Sequence, residues 1–84
     1  MDNLTIKFKK QIAGKEFTLL ELDNLVETKL GSTTSLFDYT DCLENCSCTY
    51  YITGVLQISV DWEVLESNIN PFQTKVKVTD VWEI

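Results

Sequence analysis

Cys42, Cys46 and Cys48 are the densest set of possible metal ligands in the chain. Structural zinc takes about four ligands in a tetrahedron and usually draws its thiolates from Cys-x-x-Cys pairs. Here the spacing is Cys-x-x-x-Cys-x-Cys and there is no histidine, so a fourth ligand would have to be a carboxylate such as Asp38 or Asp41, or come from another molecule. An odd number of thiols this close together does not close a disulfide framework either. The expectation is therefore reduced thiols, some of them in the core, with no metal or other cofactor assigned. A small metal- or redox-responsive module built on Cys42, Cys46 and Cys48 is the alternative reading.

Catalysis has little to work with. The absence of histidine removes the commonest general base and, with it, the Ser-His and Cys-His nucleophile arrangements. No glycine-rich phosphate loop or nucleophile elbow occurs among the three glycines. Asp61 and Glu63 could in principle act as an acid and base pair, but their spacing suits a solvated strand face. The chain reads as a non-enzymatic protein that acts by binding.

The carboxylates are the stronger functional signal. The formal net charge is -6, and from Leu30 to Thr74 there is no lysine or arginine at all. That stretch holds Asp38, Asp41, Glu44, Asp61, Glu63 and Glu66. On a helical turn, Asp38, Asp41 and Glu44 would share one side; on a strand, Asp61 and Glu63 would stand about 6.6–6.8 Å apart. Carboxylates spaced in this way can imitate a phosphate backbone and occupy a basic groove. A surface of this sign repels nucleic acid itself, and a chain without arginine lacks the planar fork that grips phosphate or guanine. The expected partner is another protein with a basic surface. An inhibitor used by a phage or mobile element against a host nucleic-acid-handling enzyme, of the anti-restriction or anti-CRISPR type, fits this size and charge.

Aromatic and β-branched residues add a second candidate surface. Tyr51, Val55 and Val81 would gather beside Thr53, Gln57 and Thr79 on the odd face of a sheet, away from any covering helix. An open sheet edge could also pair two copies, which makes a homodimer or a structural subunit a further alternative. No apolar run approaches the roughly 18 residues needed to span a bilayer, and the polar start of the chain is unlike a signal peptide. A cytoplasmic protein without membrane contact is expected.

These residues have to be positioned by the elements of a single small domain, residues 1–84, which at this length buries roughly 60–65% of its unfolded surface. Leu4, Ile6 and Phe8 alternate with Thr5, Lys7 and Lys9, which predicts a strand over about 3–12. Thr18-Leu19-Leu20-Glu21 matches a capping box, and Leu19, Leu22, Leu25, Val26 and Leu30 recur at helical spacing before Gly31, which predicts a helix over about 19–30. Residues 31–47 read as a loop, with one short helical turn near Asp38 to Asn45. From Tyr50 to Val64 the alternation is continuous, predicting one long strand over about 49–65, kinked or bulged at Gly54. A turn at Ser67 to Pro71 leads to a last strand over about 72–84, with Val76, Val78, Trp82 and Ile84 facing inward. Pairing Asp61 with Lys77 and Glu63 with Lys75 satisfies charge across that hairpin, and leaves Asp80 against Ile58 as its one poor match. The sum is an α+β domain: a twisted antiparallel sheet of about three strands with one helix packed on one face.

Overall fold

The computed structural model describes residues 3–32, 45–52 and 56–84. It is an α+β domain, with two helices where one was expected and a sheet of four strands where about three were expected. In chain order these are helix α1 (Asn3–Ile12), strand β1 (Glu16–Thr18), helix α2 (Leu19–Leu30), strand β2 (Ser47–Tyr51), strand β3 (Gln57–Glu66), a 3-10 turn (Pro71–Gln73) and strand β4 (Lys75–Glu83). The strands lie in the order β1-β4-β3-β2, each pair antiparallel.

The first element is a helix, correcting the strand expected over 3–12. Up to Phe8 the residues satisfy both periods, so alternation alone does not decide between them. Lys10 decides it. A strand with Leu4, Ile6 and Phe8 inward would bury Lys10, whereas a helix buries Thr5, Phe8 and Ile12 on one side and leaves Lys10 in water. Lys9 and Lys10 in the last turn also complement the negative end of the helix dipole.

Helix α2 forms where the sequence predicts it. The Thr18 hydroxyl accepts from the Glu21 amide at 3.2 Å, and Glu21 Oε1 accepts from the Thr18 amide at 2.9 Å, completing the capping box. Gly31 ends the helix in the left-handed region, φ 72°, where a side chain would be strained, and its amide donates to the Glu27 carbonyl. The residues just before the cap form the short strand β1, which pairs Glu16, Phe17 and Thr18 with Lys77, Val76 and Lys75 of β4.

The long strand expected over 49–65 is two strands, β2 and β3, paired as a hairpin that reverses between Ile52 and Leu56. Its register matches Ser47 with Asp61, Thr49 with Ser59 and Tyr51 with Gln57. Each pair of numbers has the same parity, so residues of one parity face the same way in both strands. A sequence that alternates without a break therefore fits either one straight strand or this hairpin. Gly54, read as a kink, falls in the connection and lies outside the described residues.

The β3–β4 register also differs from the charge-based expectation. Glu63 pairs with Lys77, Trp62 with Val78 and Val64 with Val76, a slip of two residues that keeps the same side chains inward. Two irregularities follow. Thr79 is an extra residue on β4 between the Trp62–Val78 and Asp61–Asp80 pairs, and Leu65 is an extra residue on β3 before Glu66 meets Lys75. Past the first bulge the parity of β4 switches, so Val81 turns into the core and Trp82 turns out, the reverse of their expected sides.

One hydrophobic cluster joins Phe8 and Ile12 of α1 and Leu19, Leu22, Val26 and Leu30 of α2 to the inward residues of all the longer strands, among them Tyr50, Ile58, Val60, Val78 and Val81. Both helices therefore lie on the same side of the sheet. Each fully buried aliphatic side chain in it contributes roughly 1.5–3 kcal/mol by leaving water. The opposite side of the sheet is not covered by either helix.

Candidate binding face

The face opposite the two helices is built from rungs across the sheet. One rung runs Ser47–Asp61–Asp80, the next Thr49–Ser59–Trp82, and Tyr51 pairs with Gln57 beyond them. At the other end Glu63, Lys77 and Glu16 make a rung of alternating charge, followed by Glu66, Lys75 and Thr18. The two ends differ in character. Opposite charges answer one another from Glu63 onward, while the end near Asp61 combines carboxylates with aromatic rings.

That end is ordered by side-chain bonds. Asp61 Oδ2 accepts from the Trp82 indole Nε1 at 2.8 Å, and Asp61 Oδ1 accepts from the Ser59 hydroxyl at 3.0 Å. The Trp82 ring is thus fixed at its polar edge, and the residue is 43% exposed; Tyr51 is 46% exposed. Ser59 faces outward yet is buried, between Thr49 and Trp82. Asp80 stands directly across from Asp61, a pairing of like charges that is unfavourable by itself. Lys9 of α1 offsets it by reaching Asp80 Oδ1 at 2.8 Å, and the Val81 amide donates to the same oxygen. The bond from Lys9 and the bond from the Val81 amide hold the Asp80 carboxyl below its ordinary pKa.

The candidate residues divide accordingly. Tyr51 and Asp61 lie on the same face two rungs apart, with Glu63 one rung beyond Asp61 and Glu66 at the far end, exposed near the β3–β4 turn. Asp61 is not neutralised by Lys77 as expected; Lys77 faces Glu63 and Glu16 instead. Val81, expected on this face beside Tyr51, is core. Asp38, Asp41, Glu44, Val55 and Cys42 lie outside the described residues. Cys48 is buried in the core and Cys46 packs partly against it, both as thiols, with Cys46 at φ 55° just before β2. No group of three or more potential metal ligands occurs among the described residues, and no helix there is long and apolar enough to cross a membrane.

Trp82 and Asp80 are the site residues that strand alternation misplaced or passed over. Two signals in the sequence mark them. The inward valines fall at 76, 78 and 81, and the step of three shows that a residue has been inserted. The poor match of Asp80 to Ile58 in the expected register points to the same place.

The described residues also carry shallow grooves elsewhere. One, of about 350 Å³, lies along the exposed side of α2 between Phe17, Glu21, Asn24, Leu25 and Thr28. A smaller one lies between α1 and α2, with Lys7 and Lys29 at its rim. Neither gathers convergent polar groups of the kind that orient a small ligand. Comparison with models of known protein families, with curated protein sequences and with solved structures finds no match to this chain.

Proposed function

We propose that the protein is a non-enzymatic binding module that engages a positively charged protein through the sheet face opposite its helices. The observation that carries this is the pairing of two exposed aromatic side chains, Tyr51 and Trp82, with Asp61 and Asp80 on a rigid sheet surface. Aromatic groups already held in place lose little entropy on association, and carboxylates around them select a partner of opposite sign. The formal net charge of -6 adds long-range attraction to such a partner and repulsion from nucleic acid.

A basic groove that normally receives nucleic acid is the surface this face would suit best. In that role the protein acts in the cytoplasm as an inhibitor of a nucleic-acid-handling enzyme, of the anti-restriction or anti-CRISPR type, as its size and charge suggest. Asp38, Asp41 and Glu44 are proposed as further partner-binding carboxylates on the strength of the sequence, and Glu63 and Glu66 contribute less because lysines stand opposite them. The test is capture of the partner from the organism that encodes the protein, followed by charge reversal in two separate sets, Asp61 with Asp80, and Asp38 with Asp41 and Glu44. Binding should fall on reversal and weaken as salt rises, because attraction between exposed charges is screened beyond roughly 10 Å at about 0.1 M salt. Binding that survives both reversals and high salt would refute the electrostatic reading.

A further inference from the structure

The edge of the face formed by Trp82, Asp61 and Asp80 has a more specific chemistry, and its assignment rests on the reading that this face binds a basic protein. We infer that it receives an arginine side chain of the partner, stacked on the Trp82 indole and hydrogen-bonded to the adjacent carboxylates. The indole presents its ring at a fixed angle because Nε1 is committed to Asp61 Oδ2. Lys9 and the Val81 amide both use Asp80 Oδ1, and no described group donates to Asp80 Oδ2. A ring whose orientation is set by one carboxylate, with an accepting oxygen of a second carboxylate on the neighbouring rung, matches a planar cation that stacks and donates at once.

Arginine meets that requirement better than lysine. Its guanidinium is planar, weakly hydrated and forked, so it can lie on an aromatic face and bond a carboxylate edge-on, whereas an ammonium is a compact and strongly hydrated point charge. The chain itself contains no arginine. A second copy therefore cannot supply the ligand, and the occupant has to be a different protein. Lys9 occupies one oxygen of Asp80 in the unbound protein, which keeps two facing carboxylates tolerable until the partner arrives.

The experiment is an NMR titration of the whole protein with a short glycine–arginine repeat peptide and, separately, with its glycine–lysine counterpart. The Trp82 indole N–H signal and the amides of Ser59 and Asp61 should shift saturably, with the arginine peptide bound roughly tenfold more tightly. Trp82→Leu should bring the arginine peptide down to the lysine level. Asp61→Asn, which keeps the size of the side chain and an acceptor for the indole, should also weaken it and serves as the check if the leucine variant folds poorly. Equal affinity for the two peptides, or arginine binding unchanged in Trp82→Leu, would overturn the arginine assignment. If charge reversal at Asp61 and Asp80 still abolishes binding in that event, the acidic-face reading survives alone. Shifts confined to the exposed acids of α2, Glu21 and Glu27, would overturn both.

Discussion

Asp80 is a half-exposed carboxylate whose titration is set by two neighbours. Lys9 and the Val81 amide favour its charged form, while loss of contact with water opposes it. The favourable groups win, since the carboxyl is held below its ordinary pKa. Lys9→Ala should therefore raise the Asp80 pKa toward or above the ordinary value of about 3.9, as followed by carbon-13 NMR of the carboxyl group. The stability cost should be at most about 1 kcal/mol, because both side chains are partly exposed and water screens the pair. A larger loss would mean that Lys9 also packs its stem in a way that matters to α1.

At the scale of elements, the junction between β1 and α2 depends on one side chain. Thr18 is both the last residue of β1 and the cap of α2, so its hydroxyl joins the sheet edge to the helix start. Thr18→Ala should cost about 1 kcal/mol in a urea melt, and Thr18→Ser should recover most of it by restoring the oxygen. The bulge at Thr79 is the second such device. Removing Thr79 would make the Trp62–Val78 and Asp61–Asp80 pairs consecutive, so plain alternation would keep Val81 toward the core and Trp82 toward water without a bulge. The deletion should therefore keep a folded domain with an exposed Trp82 indole, and quenching of tryptophan fluorescence by acrylamide should stay close to that of the parent. A folded variant whose indole becomes protected from acrylamide would show that alternation from Val78 does not set the sides of Val81 and Trp82.

For the whole molecule, stability should respond to acid and hardly at all to mild changes around neutrality. Glu21 is held below its ordinary pKa by the Thr18 amide and hydroxyl, and Asp80 by Lys9 and the Val81 amide. A carboxyl with a lowered folded pKa contributes stability that is complete above its unfolded value, near pH 4, and disappears as pH falls through the folded value. Without histidine there is no side chain whose ordinary pKa lies between about pH 5 and 8. Thermal melts should therefore change little from about pH 5 to 8 and decline progressively below about pH 4. A marked transition near pH 6 would contradict this account.

Local signals in the sequence determined α2 and its caps, the inward parity of β2 and β3, the turn after β3 and the surplus of acid. Each rests on neighbours a few residues apart, where spacing alone fixes geometry. Three features were decided only by the tertiary structure. The alternation from Tyr50 to Val64 suits one strand or two, and the choice of a hairpin depends on which residues meet across it. The residues up to Phe8 fit two periods, and burial of Ile12 beside the sheet goes with the helix Asn3–Ile12. The candidate face arises because both helices pack on one side and a bulge turns Trp82 to the other, where Asp61, distant by 21 residues in sequence, holds its indole. Contacts of that range are satisfied only by the whole fold, which is why the acids were legible as a surplus of charge but not as partners of an aromatic ring.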